Sequence, residues 1–255
     1  MKKISILILS LCFASQAFAA CDPKDDPCAP KKVIGEWVSS AALGYNLSSG
    51  NADTSLLSIM AATQKEVADE IYNFGAQYNF GSDKDRNDPV NDDTTRNDFR
   101  ANAAYKRLLS DKLFAGFGTS FLYDEIADID YRSIVNPSLG YYVLKDEDYK
   151  LNFEAGPSYV FEKQGGESND YLAPRIADRF DWIISCTSKI YQQTEVLLDV
   201  DNSDNYLVNT EVGIESALST SLSLVVLARN NYDNVPAVGR EKSDTAFITA
   251  VKVAL

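Results

Sequence analysis

Charged residues recur at even spacings along several stretches of this chain, as in Arg96, Asp98 and Arg100, in Arg175 and Arg179, and in Glu211 and Glu215. In a strand, residues two or four apart share a face. Opposite charges placed in this way can hold one another in ion pairs, or can sort solutes by charge. Following the alternation puts Arg96, Arg100, Lys106, Arg132, Lys150, Arg175, Arg179, Lys189 and Lys242 on the polar faces. Asp98, Glu154, Glu162, Asp181, Glu195, Asp199, Glu211, Glu215 and Asp244 join them, so the two signs balance. A row of Arg175 and Arg179 facing Glu211 and Glu215 suits a network that braces an interior, and it equally suits a selective constriction. Both readings stay open.

Other chemistries are excluded by what the chain lacks. It has no histidine, so no serine–histidine or aspartate–histidine apparatus can be assembled. Glu211 and Glu215 sit among basic neighbours that keep carboxylates ionised and unsuited to act as acids. The four cysteines are too few and too scattered for a zinc or haem site, and no cofactor or metal is expected. With 24 Lys and Arg against 37 Asp and Glu, a net charge of −13, a nucleic-acid partner is excluded too. The expectation is a protein that is not an enzyme.

A second set of charges is purely acidic. Asp83, Asp85, Asp92 and Asp93 belong to one expected outer loop, and Asp124, Glu125, Asp128 and Asp130 to another. An acidic mouth raises the local cation concentration. Such residues also offer oxygen ligands to calcium or magnesium shared with lipopolysaccharide. Solvated loops are the plainer reading, and the first loop lacks the ligand spacing of a dedicated calcium site.

The elements that carry these charges are strands. Alternation begins at Trp37, with Leu43, Tyr45 and Leu47 on one face and Ser40, Gly44, Asn46 and Ser48 on the other. It predicts twelve strands, near 35–48, 54–65, 70–81, 94–108, 112–124, 130–144, 149–162, 170–183, 188–199, 205–218, 221–232 and 242–255. Most exceed the ~5–6 residues usual in soluble sheets and suit a tilted bilayer crossing. Tight turns, such as Lys145–Asp148 and Ser219–Thr220, alternate with longer links, such as Ser82–Asp93, Lys163–Asn169 and Asp233–Glu241. Aromatics flank the apolar faces, with Trp37, Tyr72, Tyr141, Tyr149 and Trp182 at one rim. Tyr45, Phe80, Tyr123, Tyr131, Phe161 and Tyr206 mark the other, as in an interfacial girdle. The eighth strand resists this pattern, because Pro174 and Asp178 fall on its apolar face. A bulge there would shift the alternation and relieve both residues.

The N-terminus sets the compartment. Lys2 and Lys3, an apolar run from Ile4 to Phe13 and the Ala17-Phe18-Ala19 box predict a cleaved signal peptide over residues 1–19. Its loss takes the net charge from −13 to −15. Residues 20–34 form a polar periplasmic tether in which Cys21 and Cys28 are expected to pair, with lipidation of Cys21 as the alternative. Cys186 is then left over and expected simply to pack. Residues 35–255 make the barrel. No other apolar run is long enough for a spanning helix, so a membrane role requires closed β structure.

Several short motifs carry a resemblance. They are Gly44-Tyr45 followed by Ser49-Gly50-Asn51-Ala52-Asp53-Thr54, then Asp130-Tyr131-Arg132, Leu139-Gly140-Tyr141 and Glu154-Ala155-Gly156-Pro157. Asn231 with Val235-Pro236 and Ser243-Asp244-Thr245 complete the order. In this order the chain resembles the YdiY-like salt-induced outer-membrane proteins, a barrel domain of undefined function. That family tends to end in an aromatic residue, where this chain has Leu255. The resemblance implies fold and location and supplies no activity.

The expected molecule is therefore an all-β, transmembrane, antiparallel up-and-down barrel of about twelve strands in a Gram-negative outer membrane. Its expected partners are outer-membrane lipid, lipopolysaccharide and, through the last strand, the barrel-assembly machinery. A narrow conduit for ions or small polar solutes is the leading functional reading. A barrel that conducts nothing and serves structure or surface interaction is the alternative.

Overall fold

The computed structural model describes residues 35–48, 52–85 and 92–255. Within them run β1 (Trp37–Ser48), β2 (Ala52–Val67), β3 (Glu70–Asp85), β4 (Asp92–Leu108), β5 (Leu113–Asp124) and β6 (Ile129–Lys145). Then follow β7 (Tyr149–Gln164), β8 (Glu167–Ser185), β9 (Ser188–Leu198), β10 (Tyr206–Ala217), β11 (Leu222–Asp233) and β12 (Ser243–Ala254). Every pairing is antiparallel between sequence neighbours, and β12 returns to β1 to close the ring. The start of β1 and the end of β12 share one rim, called here the near rim.

Closure leaves no sheet edge, which is the condition for β structure in hydrocarbon. The alternating pattern then decides which face meets which solvent. Leu43, Phe117, Val226 and Phe247 are 59%, 52%, 39% and 72% exposed, so the apolar faces point outward all round the wall. Aromatics band both rims. Tyr149 stacks on Trp182 at 5.9 Å and Trp37 leans on Tyr72 at the near rim, while Tyr206 stacks on Tyr232 at 5.7 Å at the far one.

The inner face is not uniformly wet. Ile134, Val160, Tyr171, Ala173, Leu197 and Leu207 pack together inside β6 to β10. Val225, Leu227, Ala246 and Ile248 do the same inside β11 and β12, with Leu56 and Met60 of β2 against them. On β6 to β10 most of these residues lie toward the far rim, so that side of the interior is filled with side chains there.

Three local expectations are corrected. The link after β7 is no long loop but a turn of Gly165 and Gly166, both at positive φ (60° and 79°), the hairpin geometry in which two residues suffice. Asp83, Asp85, Asp92 and Asp93 belong to β3 and β4, which continue pairing through Asp83↔Asp93 and Lys84↔Asp92, so they are not loop residues. The bulge expected at Pro174–Asp178 is absent. There β8 pairs regularly with β7, Pro174 opposite Pro157 and Asp178 opposite Phe153, and the register shift against β9 lies lower, at Ile183/Ser185.

Candidate functional site in the lumen

A cavity of about 1870 Å³ occupies the barrel interior. Its near-rim end is lined by residues such as Glu147, Ser188 and Ser221, and its far end by Asp124, Arg132, Gln164, Asp233 and Glu241. Carboxylates outnumber cations on its wall. Amides such as Asn136, Asn152 and Asn209 fill the spaces between charges.

Strand alternation brings all eleven charges of the expected network to this inner face, where they form several clusters. Asp98 is central to the first. Its oxygens accept from Arg96 Nε (2.5 Å), Arg100 Nε (3.3 Å) and Asn79 Nδ2 (2.8 Å), and Gln77 Nε2 in turn donates to Asn79 Oδ1. Because Arg96 and Arg100 flank Asp98 by two residues each, one strand supplies both cations. The second cluster joins Lys106, Glu154, Arg175 and Glu195. Lys106 and Arg175 share Glu154, Arg175 also donates to Glu195, and Asn209 Nδ2 completes Glu195 at 3.3 Å.

In the third cluster Arg132 Nε meets Glu162 Oε2 at 2.5 Å and its Nη2 meets Asp233 Oδ2 at 2.7 Å. In the fourth, Arg179 holds Asp181 in a two-point bond (2.8 and 2.9 Å), donates to Gln193 Oε1 and lies 5.4 Å from the Tyr191 ring. The fifth and sixth are carboxylates with cations from other strands. Glu211 takes Arg229 (2.8 and 2.5 Å), while Glu215 takes Lys189 and Lys252.

The expected face-off of Arg175 and Arg179 against Glu211 and Glu215 does not form. β9 lies between β8 and β10, so Arg175 finds Glu195 on β9 and Glu154 on β7 first. Asp199 is also displaced from its expected place. β9 ends at Leu198, and Asp199 closes the following turn by accepting from the backbone of Asp201 and Asn202 and from Asn205 Nδ2. Lys242 precedes β12, lies exposed and donates to Asn234 Oδ1.

Arg229, Asp233 and Lys252 were missed, although each keeps the inward phase of its strand. Continuing the alternation from Val225 and Leu227 reaches Arg229 and Asp233. The acidic outer set divides. Asp124 is buried and its Oδ1 accepts from the backbone of Ile126 and Ala127. Glu125, Asp128 and Asp130 stay exposed at the far rim, Glu125 bonded to Asn97 and Asp130 paired with Lys163.

Cys186, expected to be a free packed thiol, is disulfide-bonded in the near-rim turn between β8 and β9. The other cysteines of the chain, Cys12, Cys21 and Cys28, lie outside the described residues. Among the described residues no group of Cys, Asp or Glu side chains is arranged to hold a metal ion.

This architecture is shared with solved outer-membrane barrels. The chain is similar to a NanC porin, with a TM-score of 0.51 and 11% identity over 86% of this chain and 100% of that one. It is also similar to the COG4313 outer membrane channel from Pseudomonas putida F1, with a TM-score of 0.50 and 10% identity over 92% and 100% of the chains. Identities this low speak for the fold: an outer-membrane β-barrel. No curated protein matches the sequence significantly. The sequence profile of the family described as "Protein of unknown function, DUF481" matches residues 41–254, nearly the whole barrel, and the chain belongs to that family.

Proposed function

We propose that this barrel is a narrow passive conduit across the outer membrane for ions and small polar solutes. The observation that carries the reading is the cavity of about 1870 Å³, whose wall carries clusters of ion pairs and amides among its apolar residues. An interior meant only to be filled is better stabilised by packed apolar side chains than by buried ion pairs. The excess of carboxylates along the wall, with exposed Glu125, Asp128 and Asp130 at the far rim, favours cations. The far rim is the cell surface and the near rim the periplasmic one. Residues 1–19 are the export signal, and 20–34 a periplasmic segment. Lipopolysaccharide surrounds the far rim, and the assembly machinery receives β12.

A second reading, a barrel that conducts nothing, is favoured by the apolar packing inside β6 to β10 toward the far rim and at mid-height inside β11 and β12. Planar-bilayer recordings of the purified full chain separate the two. The conduit predicts resolved current steps with cation-selective reversal potentials. Glu211→Ala leaves Arg229 without its carboxylate partner and shifts selectivity toward anions. Silent bilayers from the folded, heat-modifiable barrel and from its folded lumen variants alike overturn the conduit.

A further inference from the structure

Two contacts in the lumen join walls that the strand order holds far apart. β6 and β11 stand five places apart in a ring of twelve, yet Arg132 of β6 donates from Nη2 to Asp233 Oδ2 at 2.7 Å. β4 and β11 are equally distant round the ring, yet Arg100 Nη1 donates to Asn231 Oδ1 at 3.2 Å. Gln164 of β7 reinforces the first contact, accepting from Arg132 Nη2 at 3.1 Å and donating to Asp233 Oδ2 at 3.3 Å. Glu162, also on β7, holds the other side of the same guanidinium. The side chains of Arg132, Glu162 and Asp233 are only 8%, 6% and 15% exposed, so the bridge is nearly closed to water.

The loop that follows Asp233 lies over the same end. Asp233 N donates to Lys242 O and closes the loop at its base, and Asp233 Oδ1 accepts from Val235 N. From there the segment turns inward. Pro236 and Glu241 line the far end of the cavity, and buried Ala237 rests against the Gly165 turn of β7–β8, where an added Cβ would stand 3.3 Å from its own. One residue, Asp233, therefore bonds the bridge across the lumen and also anchors the covering loop.

We propose that Arg132 and Asp233 form a latch that shuts the lumen at its far end, and that passage requires this pair to part and the 234–242 loop to lift. The structure described is then the closed state of the conduit, and the inference rests on the conduit reading. Ion pairs suit this task better than apolar packing. A buried pair contributes little net stability when intact, but losing one partner strongly disfavours the state that buries it. A single bond change at Asp233 thus biases the whole mouth. Tyr171, Val160 and Leu197 pack together inside the same end of the barrel, so the latch has little open lumen left to close there.

Single-channel recordings of the full chain test this. Wild type should open rarely. Asp233→Asn keeps the shape of the side chain and removes its charge, and should raise open probability about tenfold or more. Arg132→Ala should do the same, with heat-modifiable migration confirming the barrel. The Gly165→Cys/Ala237→Cys variant places two Cβ atoms close to disulfide reach, and because Gly165 sits at a φ of 60° its barrel is first checked by heat-modifiable migration. Oxidation should abolish its openings and reductant restore them, with wild type unaffected by the oxidant. If wild type already conducts at the level of Asp233→Asn and the cross-link changes nothing, the latch is wrong and the conduit stands. If neither wild type nor any folded variant conducts, both readings fail together.

Discussion

Asp98 shows at the residue scale how this interior tolerates charge. Its side chain has no exposed surface, so water cannot hydrate the carboxylate, and Arg96, Arg100 and the Asn79 amide replace that hydration. Removing it strands two arginines, one of which also spans the lumen to Asn231. Asp98→Ala should therefore cost about 3–5 kcal/mol of barrel stability. Asp98→Asn should cost less, because it keeps an acceptor in place. Urea midpoints of the heat-modifiable barrel decide, and an Asp98→Ala midpoint equal to wild type removes the network's structural role. The exposed Lys163–Asp130 pair is the contrast, and its loss should leave the midpoint unmoved. The alternation of Arg96, Asp98 and Arg100 was legible in the sequence because a period of two survives any register. The partners were not, because pairing across the lumen depends on ring order and on how far the walls close in. Arg229 follows the same rule, two residues beyond Leu227 on the inward phase of β11, but the apolar residues before it mask the signal.

At the scale of the element, the most informative region is the wall made by β6, β7 and β8. Three outward prolines, Pro137, Pro157 and Pro174, occupy neighbouring strands, each lacking a donor for the ladder. The chain answers this without the bulge that Pro174 and Asp178 suggested. Pro157 and Pro174 face each other, the β6–β7 ladder is interrupted between Val135↔Tyr159 and Leu139↔Ala155, and the β8–β9 ladder starts one residue past Pro174, at Arg175↔Leu197. The missing donors thus coincide with gaps in pairing, and Asp178 keeps its outward place opposite Thr194. Sequence alone reveals the prolines but not which neighbour each would have bonded, since that follows from register. At the gap the two backbones crowd together, and a Cβ on Gly156 would stand 2.1 Å from Pro137 O. Gly156→Ala must push β6 and β7 apart, and should lower the yield of folded barrel and its urea midpoint. Ala155→Val, one residue away on the lipid face, should be tolerated. If the two variants fold equally well, the crowding has no energetic weight.

For the whole molecule, closure is the step that the sequence motifs describe least well. β1 pairs β2 along its whole length, from Trp37↔Lys65 to Ser48↔Thr54, but meets β12 only from Ser40↔Ala254 to Leu43↔Val251. β12 in turn pairs β11 from Leu222↔Val253 to Tyr232↔Ser243. The seam is therefore hydrogen-bonded near the near rim and loosens above Leu43. The backbones still approach there, since a Cβ on Gly44 would stand 2.5 Å from Thr249 O. Glycine at this position lets the first and last strands lie against each other where the ladder has ended. Two outcomes follow in one hydrogen-exchange experiment on the micelle-held barrel. Amides of β12 that face β1 above Val251 should exchange faster than those that face β11, because only the latter are held in a ladder. Gly44→Val should spread that fast exchange toward Leu43 and Val251 by wedging the strands apart, while β5 to β8 keep their protection. Uniform protection along β12, unchanged by Gly44→Val, would mean that the seam is as tightly zipped as the rest of the wall. The far half of β1 and β12 would then be no place for the barrel to open sideways.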